Sequence, residues 1–461
     1  MTTSTNLAPT FDASLDGRVL RPDDAGYEAA RRVWNGMIDR RPAWIVEAAS
    51  VDDVARTIAA ARATGLPLAI RGGGHNVAGN GSVDGGILLD MGAFRTIEVD
   101  PERRLVRAGA GATLADIDAA TEPHGLVVPI GVVSGTGIAG LTLGGGVGWL
   151  VRKHGLTVDN LVAADVVLAT GERVTASADR HPDLFWGLRG GGGNFGVVTS
   201  FTFRAHPLGP EVLAGSLVYE LPRWRDALRT FARLAPELPD ELTTLMTFLV
   251  PPPDWEMGDR PLLFVGLAWA GDDPAAGRAA IELLRSACPP DMTLLEPTTW
   301  RAFQTAFDAI LPHGVRAYWR NASFGALDDR LIDALVEHLG AQTWFGTAAD
   351  LHHMGGAYGR VPAEATAFPN RDAQYWLNIY GFWSDPADDP ARVAWVKRSS
   401  EAVAPFAMVG QYVNFLGHEA GDARAKAVAV YGEAKVARLQ EIKRRYDPEN
   451  LFRINHNIPP A

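Results

Sequence analysis

At 461 residues the chain exceeds what one hydrophobic core usually covers; about 150 residues per domain gives roughly three domains, or two large ones. With 47% hydrophobic and 21% charged residues it has the make-up of a globular protein, not of a disordered, collagen-like or coiled-coil chain. Lys and Arg number 43 against 54 Asp and Glu, a net charge of −11 that offers no footprint for nucleic acid, and the lone Cys288 excludes an intrachain disulfide, a Cys-rich metal site and a dithiol redox couple.

The first twenty residues combine no basic region with an apolar one, and no apolar run approaches the roughly 18 to 20 residues that cross a bilayer, so a cytoplasmic protein without a membrane partner is expected. Ser50 followed by Asp53, then Val54, Ile58 and Ala61 at helical spacing and Gly65 beyond, predicts a capped amphipathic helix. LPLAI, VDGGILLDMG, FRTIEVD and RLVRAGAG predict short strands around a glycine turn at 72–74, and TLADIDAATEPHG a second helix. Glycine then recurs through 135–148 too densely for a helix. DNLVAADVVLATGERVTAS predicts a β-hairpin, and a third glycine turn at 190–196 feeds another strand.

Near residue 208 the texture changes. From 211 to 414 strand-like runs such as PLLFVGLAWA alternate with helical stretches such as DDPAAGRAAIELLRSA, and most of the 13 tryptophans fall here, as core or as a substrate platform. From about 420, ARAKAVAVYGEAKVARLQEIKRR predicts one helix, followed by the turn YDPEN and an irregular FRINHNIPP.

Gly135, Gly137 and Gly140 spell G-x-G-x-x-G with Asp159 about twenty residues on, the pattern of a dinucleotide-binding crossover. That motif needs a helix at its glycines, and Gly144, Gly145, Gly146 and Gly148 argue against one, each glycine costing about 1 kcal/mol inside a helix. No phosphate-loop Gly-Lys-Ser/Thr occurs. Three glycine turns can instead present backbone amides to an extended phosphate-bearing cofactor, with Arg71 adding charge. His75 stands inside the first, where flanking glycines let an imidazole approach a bound ring, although a solvated or backbone-bonded turn histidine reads the same.

The runs RGGGHNVAGNG, GVVSGTGIAGLTLGGGVGWLVRKHGLTVDNL, PDLFWGLRGGGGNFGVVTSFTF, and YVNF with YDPENLFRINHNIPP, in that order, resemble the berberine-bridge-enzyme-like FAD-linked oxidases, most of all bacterial members that oxidise hydroxynicotine or act in antibiotic pathways and secondary metabolism. The resemblance implies an α+β, two-domain vanillyl-alcohol-oxidase fold: a PCMH-type FAD-binding domain over 1–210, a substrate domain over 211–414 built on an antiparallel sheet covered by helices, and a tail, 415–461, returning to the FAD domain. It implies that His75 is bonded to the flavin 8α-methyl. Val133 stands where many relatives carry a second, cysteinyl link, so a singly linked flavin is expected. Thr136 occupies the position that helps govern oxygen access in relatives. Cofactor contacts are assigned to Arg71, Gly72, Gly73, Gly74, His75, Asn76, Val133, Gly135, Thr136, Gly137, Gly140, Gly145, Gly148, Val198, Asn455 and Asn457.

Flavin oxidation of an alcohol or amine needs hydride transfer to flavin N5 and a base for the proton. Tyr412 and Asn414 share a face of YVNF if it is a strand, and Tyr412 resembles the family's catalytic tyrosine. Asp350 falls where relatives place a carboxylate beside that tyrosine; a phenol of ordinary pKa near 10 needs such a proton acceptor. His352, on the same face as Asp350, and Asn378 and Tyr380 are expected to line the substrate pocket. Two adjacent histidines, His352 and His353, without a third ligand do not make a metal site. The function expected is an FAD-linked oxidase acting on a small alcohol or amine, or closing a ring, with dioxygen as acceptor. The alternatives are a dehydrogenase passing electrons elsewhere and a flavin carrier without turnover.

Overall fold

The computed structural model describes residues 11–209, 211–306, 308, 311–417 and 421–461, so the start of the chain and the expected boundary at 210 lie outside the described residues. Strands β1 (Arg18–Leu20), β2 (Trp44–Glu47), β3 (Leu68–Arg71) and β4 (Ile87–Asp90) form a sheet in the order β1-β2-β4-β3, with β4 parallel to both neighbours. Burial on both faces explains why β4 reads as an unbroken apolar run: Ile87, Leu88 and Leu89 are fully buried. The helix Val51–Thr64 begins at a Ser50–Asp53 capping box and stops at Gly65, whose φ of 70° suits a residue without Cβ. The second predicted helix, Leu114–Thr121, has the same device at Thr113 and Asp116.

β5 (Ile97–Asp100), β6 (Leu105–Gly109), β8 (Leu161–Val167), β9 (Arg173–Ser177) and β10 (Val197–Arg204) make an antiparallel sheet in the order β5-β6-β10-β8-β9, and β8 with β9 is the predicted hairpin. β7 (Leu126–Val127) pairs with β11 (His206–Pro207) alone. Against the sequence expectation, a helix does start at the second glycine cluster: Ile138–Gly144 follows Gly137 directly and ends where Gly145 takes φ 136°. The strand before it is the two-residue, antiparallel β7, so this is no dinucleotide-binding crossover.

The remaining strands, β12 (Glu211–Glu220), β13 (Leu242–Val250), β14 (Leu262–Trp269), β15 (Met292–Thr299), β16 (Arg316–Phe324), β17 (Gly346–His353) and β18 (Tyr375–Trp383), form one antiparallel sheet, β15-β12-β14-β13-β17-β18-β16. Met246, Phe248, Leu351, Leu377 and Ile379 pack one face against the helices Trp224–Leu234, Asp329–Leu339 and Asp389–Val403. Alternation turns the other set, Thr247, Asp350, His352, Asn378 and Tyr380, to the opposite face. Fold class is therefore mixed α and β with a helix-covered antiparallel sheet, as expected.

The expected single helix near the end is two, Ala423–Tyr431 and Glu433–Tyr446, because Gly432 takes φ 76° and breaks it. Both pack into the core of the first two sheets, together with Leu451, Phe452 and Ile458. Buried polar contacts join the two halves. Arg371 grips Asp159 with two bonds of 2.7 and 2.8 Å, and Arg152 donates to the carbonyls of Leu238, Leu242 and Met354. From the helix Trp300–Thr305, Trp300 Nε1 donates to Asp118 at 3.1 Å.

Candidate active site

The first two glycine turns interlock: a Cβ on Gly73 would stand 2.4 Å from the nitrogen of Gly137, and one on Gly137 2.3 Å from that of Gly73. Neither position tolerates a side chain. One long cleft results, lined by Arg71, Gly72, Gly73, Gly74, His75 and Asn76 from the first turn and by Val133, Thr136, Gly137 and Gly140 from the second. Val198 on β10, Tyr412, Asn414 and Asn455 complete the wall. Four of the expected cofactor residues do not line it. A Cβ on Gly135 would meet nothing within 4 Å, whereas one on Gly148 would stand 1.8 Å from Ile130 O. Gly145 lets the chain bend round the Tyr412 ring, where a Cβ would come within 3.1 Å. Asn457 lies just past the lining.

Arg71 does not offer a free charge. Its guanidinium is buried, paired with Asp90 and bonded to Arg32 O at 3.1 Å, and its stem packs beside Gly74. Asn76 Oδ1 accepts from Asn80 N at 3.2 Å and shapes the turn. His75 presents its imidazole to the cleft with its pKa lowered to about 4, chiefly by burial and further by His313, so the ring is neutral at pH 7.

Tyr412 and Asn414 do meet, but not on a strand. Residues Val413–Phe415 form a 3-10 turn, and four residues of alternating pattern are too few to tell the two apart. Tyr412 Oη accepts from Gly146 N at 2.9 Å and from Asn414 Nδ2 at 3.0 Å, while Asn414 also donates to Leu141 O. Asn414 reaches this place because Gly144 has no side chain: a Cβ there would lie 2.2 Å from its Oδ1. Burial raises the phenol to about 12, so it is protonated at neutral pH.

Asp350 is not bonded to Tyr412, contrary to expectation. It accepts from Thr247 Oγ1 at 2.7 Å and from Tyr380 Oη, its neighbours across the sheet, and burial pushes its carboxyl up to about 6. That burial, together with Asp350, holds the Tyr380 phenol well above its ordinary value. Asn378 faces Asp350 in the ladder, and its Oδ1 is buried without a partner. His352, lowered to about 4 by burial, packs 5.7 Å from Phe415. His353 points to the opposite face, its nitrogens 3.0 Å from Arg152 and 3.0 Å from Thr244.

The span 42–177 matches the model of the FAD binding domain, and 411–459 matches that named berberine and berberine like. The chain is 31% identical to (R)-6-hydroxynicotine oxidase of Paenarthrobacter nicotinovorans and 31% identical to the uncharacterised FAD-linked oxidoreductase YgaK of Bacillus subtilis strain 168, in each case over 97% of both chains. The chain belongs to the berberine-like family of FAD-linked oxidoreductases. The crystal structure of 6-hydroxy-D-nicotine oxidase from Arthrobacter nicotinovorans superposes with a TM-score of 0.84 at 28% identity, covering 97% of this chain and 99% of that one. The glucooligosaccharide oxidase of Acremonium strictum, 22% identical with a TM-score of 0.86 over 98% and 99% of the two chains, shares the fold.

In this FAD-linked oxidoreductase the residues fit the cofactor on their own evidence. Glycine backbones line the cleft where side chains would fill it, and Asn455 Oδ1 is buried at the wall without a partner. Sequence reasoning missed several wall residues. Gly192, Gly193 and Asn194 come from the third glycine turn, whose role toward a cofactor was legible although none of its residues was named as a contact. Asn194 accepts from Ile458 N at 3.0 Å and donates to Gly191 O, and its own carbonyl accepts from Lys443 Nζ at 2.8 Å. Lys443 is fully buried and also holds Asp447 and Phe452 O; its spacing to Asp447, four residues on in KRRYD, was the available signal. Trp319 and Phe415 add aromatic wall on the side of the large sheet.

Proposed function

We propose that this protein is an oxidase whose FAD is linked once, through His75, and that it takes a hydride from a carbon bearing an alcohol or amine, or closes a ring oxidatively, with dioxygen as acceptor. The observation that carries the reading is the cleft itself: a neutral, half-buried imidazole on one wall, and Tyr412 held by Asn414 and Gly146 on another. When bound there, the flavin supplies the two-electron acceptor. Val133 in place of a thiol supports a single link, in contrast to the 6-S-cysteinyl, 8α-N1-histidyl FAD named for the glucooligosaccharide oxidase. Arg71, Asn76, Thr136, Val198 and Asn455 shape the cofactor walls, and Asn457 supports the tail behind them. The division into 1–210, 211–414 and 415–461 is supported by separate cores, with the tail packed in the first.

For the proton, two groups are suited to different parts. Tyr412, kept protonated and pinned by two donors, orients a substrate oxygen or nitrogen by hydrogen bonding. Asp350, with a carboxyl near 6, is the group able to take a proton at neutral pH, and Tyr380 and Thr247 hold it in place. His352 and Asn378 flank it as substrate contacts.

The test is direct. Acid-precipitated protein should pellet yellow, and tryptic peptides carrying flavin should contain His75. Anaerobic mixing with a panel of alcohols, sugars and aromatic amines should bleach the flavin with at least one class. Recovery of colour on admitting air identifies an oxidase; colour that returns only with another acceptor identifies a dehydrogenase. A colourless acid pellet contradicts the covalent link.

A further inference from the structure

Trp34 lies ahead of the 42–177 span, and its indole is stacked on the His75 imidazole with centroids 4.5 Å apart and 19° between the planes. The indole is itself held from several sides. The backbone N–H of Trp34 donates to Gly74 O at 3.0 Å, and its Nε1–H donates to Leu311 O at 3.1 Å. Trp319 and Phe382, on strands of the large sheet, meet it edge to face at 5.9 and 6.0 Å. Only 1% of Trp34 is exposed. Its partners therefore come from the glycine turn of the cofactor half, from the segment after Trp300–Thr305, and from the seven-stranded sheet.

A ring nitrogen's lone pair lies in the plane of the imidazole. Fixing that plane fixes the line along which the nitrogen can form a bond, whereas a free ring samples orientations that are mostly unproductive. We propose that Trp34 is a positioning residue for covalent attachment of the flavin at His75, and that attachment proceeds only when the two halves of the molecule are docked around the indole. The proposal rests on His75 being the attachment point. In the step it serves, a bond forms between an imidazole nitrogen and the 8α carbon. One hydrogen leaves that carbon and one leaves the imidazole, as two protons, and the accompanying electron pair reduces one dioxygen to hydrogen peroxide.

The experiment compares wild type with Trp34→Ala, Trp34→Leu and Trp34→Phe, each incubated in air with added FAD. Total bound flavin, acid-precipitable flavin and intact mass are followed over time. Wild type should become fully linked. The alanine and leucine variants should bind FAD but link it at least tenfold more slowly, and phenylalanine, which restores a flat face without the N–H, should rescue most of the rate. Alanine or leucine variants that link at the wild-type rate overturn the proposal. If alanine fails to fold, leucine, which fills the space without a flat face, decides by the same criterion. A wild-type protein with no acid-stable flavin overturns the His75 reading itself and is thereby told apart from a failure of Trp34.

Discussion

In the proposed reaction Tyr412, on the cleft wall, is the hydrogen-bond donor, and Asp350, half-buried on the large sheet outside that lining, is the titrating carboxyl. Tyr412→Phe removes one hydroxyl that Gly146 and Asn414 hold, and should slow anaerobic flavin reduction by tenfold or more, a loss above about 1.4 kcal/mol, while the acid-stable flavin stays bound. Asp350 has its carboxyl raised to about 6, so its ionised fraction grows as pH rises toward 6 and saturates above. Flavin reduction should therefore climb about tenfold per pH unit below 6 and level off above it, and Asp350→Asn should abolish that limb; a limb unchanged in the variant assigns it to another group. The individual residues were readable where a motif carried them, as for His75 and Tyr412. The partners of Asp350 were not, because Thr247 and Tyr380 stand 103 and 30 residues away and only the sheet register brings them alongside.

The closing helix Glu433–Tyr446 shows how one element fixes a loop it does not contain. Lys443 Nζ joins the third glycine turn, through Asn194 O, to the tail, through Asp447 and Phe452 O, and Asp447 in turn accepts from the amides of Leu451 and Phe452. Lys443→Met leaves a buried carboxylate without its ion-pair partner and should cost about 3–5 kcal/mol, seen as a lowered melting temperature and release of any unlinked FAD. Lys443→Met combined with Asp447→Asn should recover part of that loss. Elements with their own caps were legible in the sequence: Ser50 with Asp53 and Thr113 with Asp116 announce helices by local chemistry alone. YVNF was not, since its conformation is set by Asn321, which bonds both the N–H and the carbonyl of Tyr412 from β16. Neither was the break at Gly432, a glycine that fits a helix at modest cost and whose φ is decided by how the two segments pack.

At the scale of the molecule, the substrate half grips the cofactor half through a buried carboxyl. Asp118 accepts from Trp300 and Gln304, and burial raises it to about 6. Since the folded value lies above the unfolded one, the folded state binds the extra proton; the benefit is full below the unfolded pKa and is lost as pH rises through 6. Asp118→Asn keeps an acceptor without the charge. Its stability relative to wild type should rise between pH 4 and 6 and then stay flat, by on the order of 3 kcal/mol at most, as measured by denaturant melts at each pH. The change in texture near 208 suggested two halves, but nothing in the sequence announced the clamp, whose members are scattered from Asp118 to Arg371. The cleft draws its walls from residues as far apart as Ile70 and His456. A chain cut before Tyr412 would keep all three glycine turns but lack Tyr412, Asn414, Phe452, Asn455 and His456, and with them the side of the cleft that the last stretch supplies.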